Sequence, residues 1–68
     1  MIKKLDNGNY VLEVSESILD EIMYSIYVMA MEQGECSHEI VKFYEKVTKC
    51  TGDSAGLESV KSADVSLM

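Results

Sequence analysis

Apolar positions recur along this chain with two different periods. From Ser17 to Gln33, SILDEIMYSIYVMAMEQ, and again from Ser37 to Thr51, they follow a helical spacing; ahead of both, Ile2 to Leu5 and Tyr10 to Val14 are short aliphatic and aromatic runs. Between the short runs stands Asp6-Asn7-Gly8-Asn9. Asn-Gly is a strong hairpin signal because a type I′ turn needs positive φ at both central residues. The pattern predicts a β-hairpin over 2–14, a helix over 17–33 and a helix over 38–51. A two-residue turn pairs Leu5 with Tyr10 and Lys3 with Leu12, whereas a three-residue turn pairs Lys3 with Glu13 and Ile2 with Val14. In both registers Tyr10, Leu12 and Val14 are the face expected to be buried. A two-stranded hairpin is unstable alone, so it is expected to lie on the helices or to extend its sheet through another chain.

Two start signals compete at the first helix. Ser17 with Asp20 resembles a capping box, and Ser15 as the cap would give a hydrophobic staple from Val14 to Leu19. Gly34 is the expected stop. On a helical wheel, Ile18, Leu19, Ile22, Ile26, Met29 and Ala30 form an aliphatic stripe of ordinary core width. Met23, Tyr24, Tyr27 and Met31 form a second apolar side. One hairpin and one further helix can cover the first side but hardly both. Met and Tyr are also enriched where a surface must be apolar and adaptable. Met23, Tyr24, Tyr27 and Met31 are therefore the expected homodimer or partner interface, against the competing reading that they complete a monomeric core.

The second helix is conventionally amphipathic, with Ser37 as its cap and Gly52 as its end. Ile40, Val41, Phe43, Tyr44, Val47 and Cys50 are expected on the buried face, with Glu39, Lys42, Glu45, Lys46 and Lys49 opposite. A short loop between two helices implies an antiparallel αα-hairpin. From Gly52 the chain is Ser-rich, with a weaker apolar spacing at Leu57, Val60 and Val65. Ser54 could cap a short helix there, and a disordered tail is the alternative. The fold expected is α+β: a small ββαα domain over 1–51, its N-terminal hairpin packed on the αα-hairpin and completed as a homodimer, followed by the segment 52–68.

Composition sharpens this in two ways. Sixty-eight residues with 47% hydrophobic content make one small globular domain, of a size that often needs support from outside the monomer. Twelve acidic residues against six lysines give a net charge of −6, and residues 17–36 contain no lysine. Such a surface repels nucleic-acid phosphates and anionic lipid and suits a basic partner or simple solubility. Glu21, Glu32 and Glu35 are the expected acidic partner surface. No apolar leader follows Met1, and the longest uncharged stretch, Ile22 to Met31, is about half a bilayer span. A cytoplasmic protein with free thiols and no membrane partner is expected.

Candidate chemistry is sparse. Cys36, His38 and Cys50 fall short of the four ligands of a structural zinc site, so no metal or other cofactor is expected. A helix between Cys36 and Cys50 would hold them about 20 Å apart, too far for a disulfide. Cys50 is expected as a core thiol, Cys36 as a loop residue and His38 as a surface residue. As a nucleophile and base, Cys36 and His38 lack an orienting partner. A helix-turn-helix reading would use His38, Lys42, Lys46 and Lys49, but Glu39 and Glu45 share that side and the chain has no Arg. The expected function is therefore non-enzymatic: a small acidic interaction protein, an inhibitor or regulator of a larger basic or nucleic-acid-binding protein. Small size, acidity and the lack of a catalytic set are shared with phage-encoded inhibitors as a class. The alternative is a dimeric ligand-binding or sequestering protein with Tyr24, Tyr27 and Tyr44 lining a pocket between subunits.

Overall fold

In the computed structural model, which describes residues 1–67, two short strands precede three helices: β1 (Ile2–Lys4), β2 (Tyr10–Leu12), α1 (Glu16–Gln33), α2 (His38–Thr51) and α3 (Leu57–Ser62), with a final 3₁₀ turn over Val65–Leu67. The two strands form one antiparallel sheet, so the chain is α+β.

The hairpin adopts neither expected register. Ile2 pairs with Leu12, Lys3 with Val11 and Lys4 with Tyr10. The Leu5 carbonyl accepts from Gly8 N at 3.1 Å, and Leu5 N donates to the Asn9 carbonyl at 2.7 Å, enclosing the three-residue loop Asp6–Gly8. Only Gly8 takes positive φ (87°), which excludes the type I′ turn that Asn7-Gly8 suggested. Asn7 instead turns its side-chain oxygen to Asn9 N at 3.0 Å, an Asx turn that fixes the loop from within.

Nor is the hairpin packed on the helices as expected. Ile2, Tyr10 and Leu12 share one face of the ribbon yet remain 68%, 61% and 54% exposed, and Val14 is exposed as well. The face expected to be buried is open within one chain. The helical core instead takes its third side from the other end of the sequence, where α3 packs on α1 and α2.

The core is built around Val60, the one fully buried side chain among the described residues, together with Ile26, Ala30, Cys36, Val41, Tyr44 and Ala63. Helices α1 and α2 each make more contact with α3 than with one another. The Ser-rich segment thus closes the domain. It is tied by a parallel bridge between Cys36 and Asp64, in which Cys36 N donates to the Ala63 carbonyl at 2.7 Å and Val65 N to the Cys36 carbonyl at 3.1 Å. That bridge buries Cys36, while Cys50 is exposed, the reverse of the expected arrangement. On α2 the inward line is Val41, Tyr44 and Thr48, and the helix rotates Phe43 and Cys50 outward.

Caps fix the helix ends. Ser15, not Ser17, caps α1 by accepting from Ile18 N at 3.3 Å, and Ser37 caps α2 through Ile40 N at 3.3 Å. Gly34 ends α1 in the left-handed region, its N–H donating to the Ala30 carbonyl at 2.9 Å. Among the described residues no helix is long and apolar enough to cross a membrane.

Candidate functional site

A cleft of about 590 Å³ lies where α1, α2 and the α2–α3 loop meet. Helix α1 presents Asp20, Met23, Tyr24 and Tyr27, spaced i, i+3, i+4, i+7, which places them on one stripe. Helix α2 adds Tyr44, and the loop adds Asp53 and Gly56. None of the lining residues is cationic.

The loop is held where it is by hydrogen bonds from both sides. The Tyr44 hydroxyl donates to the Ala55 carbonyl at 2.8 Å. Ala55 N donates to Asp53 Oδ1 at 3.0 Å, and Asp53 N to Thr51 Oγ1 at 3.3 Å. Burial pushes the Tyr44 hydroxyl above its ordinary pKa, and the Asp53 carboxylate and Tyr27 add to the rise. Gly56 lets the tyrosines close on the loop. Its φ is +79°, and a Cβ there would stand 2.7 Å from Tyr27 Cδ1 and 2.8 Å from the Tyr44 hydroxyl oxygen. Gly56→Ala is expected to lower stability by about 1–3 kcal/mol, from positive-φ strain plus overpacking. Denaturant unfolding checks this, and an unchanged midpoint would mean that the loop relaxes freely.

A second hollow of about 570 Å³ adjoins the first, sharing Asp20, Tyr44 and Asp53 and running toward Glu16 and Val47. The two form one acidic trough along α1.

The structure brings Tyr24, Tyr27 and Tyr44 together within a single chain, with Met23 beside them. The second apolar side of α1 is divided: Met23 and Tyr27 pack against the core, whereas Tyr24 and Met31 are exposed, Tyr24 at 68%. Met31 does not line the cleft. Glu21, Glu32 and Glu35 are exposed. Sequence reasoning missed Asp20 and Asp53 as site residues. Asp20 was legible from its spacing to Tyr24 and Tyr27, while Asp53 arrives through a loop with no periodic signal.

A second cluster joins the start of α2 to the end of the chain. His38 Nδ1 lies 2.9 Å from Asp64 Oδ2 and 3.1 Å from Ser66 Oγ, and Ser66 donates to Asp64 Oδ1 through its hydroxyl (2.8 Å) and its N–H (2.9 Å). A Ser–His–Asp relay needs the serine and the carboxylate on opposite ring nitrogens. Here both address Nδ1, so the cluster serves as a latch on the C-terminal segment. The nearby Cys36 thiol is raised by burial and then by Asp64, the opposite of an activated nucleophile. Among the described residues no group of three His, Cys, Asp or Glu side chains could hold a metal ion.

The latch makes a pH prediction. The hydrogen bond from His38, followed by that from Ser66 N, lowers the Asp64 pKa below its ordinary 3.8. A carboxylate depressed by folding stabilises the native state above its unfolded pKa, and that stability is lost as pH falls through the folded value. Urea midpoints should therefore drop as pH is lowered from 3.8, and Asp64→Asn should flatten the drop. An equal drop in the variant would mean that the Asp64 carboxylate does not stabilise the fold through the latch.

Compared with protein-family models, curated proteins and solved structures, the chain has no significant match.

Proposed function

We propose that this chain is a small acidic, non-enzymatic interaction protein of the cytoplasm that pairs with a second copy of itself and engages a basic surface on a larger protein, as an inhibitor or regulator. The observation that carries the reading is the uncovered hairpin. Ile2, Tyr10 and Leu12 face outward together, and the ribbon is only two strands wide. Two strands without an apolar support are marginal in water, and open strand edges recruit further strands. A second copy answers the first need by laying its own Ile2, Tyr10 and Leu12 face against this one, which removes both from water.

The α1 surface is assigned to the target. Tyr24 and Met31 stand out from it, Met23 and Tyr27 back them, and Glu21, Glu32 and Glu35 provide acidic groups. A net charge of −6, with no lysine on α1, favours a basic partner. The lysine side of α2 is a poor match for DNA, because Glu39 shares it and Lys49 is drawn to Glu45 at 3.4 Å.

Light scattering at micromolar concentration should give twice the 7.6 kDa chain mass. Tyr10→Lys with Leu12→Lys should return it to the monomer, while Lys42→Glu should leave the dimer intact. A monomer mass for the unmodified chain would end the self-pairing proposal. Affinity capture from the native cell tests the target, and Tyr24→Asp with Met31→Asp should abolish capture without changing the mass.

The cleft favours a second reading, a ligand-binding or sequestering protein with Tyr24, Tyr27 and Tyr44 in its pocket. Thermal stabilisation that grows with ligand concentration would separate it from the first.

A further inference from the structure

We propose that the cleft between α1, Tyr44 and the 52–56 loop is a binding site for an organic cation, an alkylammonium or guanidinium group bearing apolar substituents. This deepens the ligand-binding reading and does not depend on the pairing of hairpins.

The chemistry of the walls selects the ligand. Tyr24 and Tyr27 supply accessible aromatic surface, the buried Tyr44 closes the wall behind them, Met23 adds a polarizable thioether, and Asp20 and Asp53 two carboxylates. Aromatic faces attract cations through the ring quadrupole, and alkyl groups on the cation gain from contact with the same rings. A phosphate or carboxylate ligand would meet two negative charges and no lysine or arginine among the lining residues. A bare metal ion would find oxygen ligands but no use for the aromatic walls. An uncharged apolar ligand would leave the carboxylates unused.

The site is also prepared in advance. Tyr44 is fixed by its hydrogen bond to the Ala55 carbonyl, Asp53 by the turn it makes with Ala55 N, and Tyr27 by its packing over Gly56. Three elements thus hold the walls before any ligand arrives, which limits the ordering cost of binding. The acidic character extends beyond the cleft into the adjoining trough, where Glu16 lies beyond Asp20. A linear cation with charges spaced along a chain can follow that trough. The same chemistry is carried by a free polyamine and by lysine or arginine side chains of a protein.

The chain contains four tyrosines and no Trp, and three of the tyrosines line the cleft. Tyr10, on the hairpin, is a built-in control. Tetramethylammonium chloride, spermidine and a short lysine-rich peptide are titrated into the full chain while ring resonances are followed by NMR, with sodium chloride matched for ionic strength. Ring signals of Tyr24, Tyr27 and Tyr44 should move saturably with the organic cations, whereas Tyr10 and the sodium chloride series stay still. Asp20→Asn with Asp53→Asn, which keeps an acceptor for Ala55 N, should weaken spermidine binding by about tenfold. Tyr24→Leu, at an exposed position, should weaken tetramethylammonium by about two- to fivefold. Much tighter binding of the peptide than of spermidine assigns the cation to a protein partner; the reverse assigns it to a free amine. Equal response of Tyr10, equal response to sodium chloride, or undiminished spermidine binding by the folded Asp20→Asn, Asp53→Asn variant would overturn the proposal. None of these outcomes bears on the dimer mass, so the two proposals fail separately.

Discussion

A chain cut after Thr51 should not fold, although it retains the hairpin and both long helices. Among the described residues Val60 is the only side chain with no exposure, and Ala63 and Cys36 are buried around it. The cut removes Val60 and Ala63 and strips the 63–65 backbone from Cys36. Fully burying a Val is worth about 1.5–3 kcal/mol, before the newly exposed inward faces of Ile26, Val41 and Tyr44 are counted. A domain of this size has a total stability of about 3–5 kcal/mol from a single core. Because α1 and α2 touch each other less than each touches α3, little remains to hold them together. Far-UV circular dichroism of residues 1–51 should show greatly reduced helix and no cooperative melt. A cooperative transition in that fragment would show that residues 52–68 are an appendage after all. Val60→Asp in the full chain should give the same loss through one buried, unpaired charge.

The two long helices were legible because their apolar spacing is strong and each is bounded by Ser and Gly caps; the observed starts differ by no more than a residue. The hairpin was legible as a pair of strands, but its register turned on whether Asn7 would accept positive φ, and a side-chain bond to Asn9 N gave it another conformation. The role of the last quarter of the chain is not legible in the sequence. Leu57, Val60 and Ala63 are three apolar residues in a polar stretch, and a six-residue helix carries too few positions for a period to show. What makes them core is the shape of the space between α1 and α2, a tertiary fact. With α3 in that space, the hairpin face stays exposed, Cys36 is buried and Cys50 is exposed.

The candidate site follows the same division. Tyr24, Tyr27 and Tyr44 were grouped from residue type alone, and the cleft does contain all three. The expected location, between subunits, follows from a count of one hairpin and one further helix, which can hardly cover the second side of α1. Helix α3 and its preceding loop partly do so, and they bring Asp53 to the tyrosines. Asp53 is not legible in the sequence for that reason, since it is far from Tyr24 along the chain and sits in a loop.

Tyr44 joins the core to the cleft, and two substitutions there separate its parts. Its ring is buried and its hydroxyl holds the Ala55 carbonyl. Tyr44→Ala should cost about 3–5 kcal/mol, as large-to-small changes at buried aromatics do, and so bring the domain to the edge of unfolding at 25 °C. Tyr44→Phe keeps the ring and removes one hydrogen bond, with an expected loss of about 0.5–1.5 kcal/mol. The two also differ in alkali. Burial, Asp53 and Tyr27 together raise the Tyr44 pKa in the folded state above its ordinary 10.0. A group whose pKa is raised by folding stabilises the native state below its unfolded pKa, and that contribution is lost as pH climbs through the folded value. The unmodified chain should therefore lose stability above pH 10.0, and Tyr44→Phe should lose less of it over the same range. Urea midpoints measured from neutral pH into that alkaline range decide the matter. Parallel curves for the two proteins would mean that the ionisation of Tyr44 is not coupled to unfolding, and that its hydroxyl matters only as a tether for the loop.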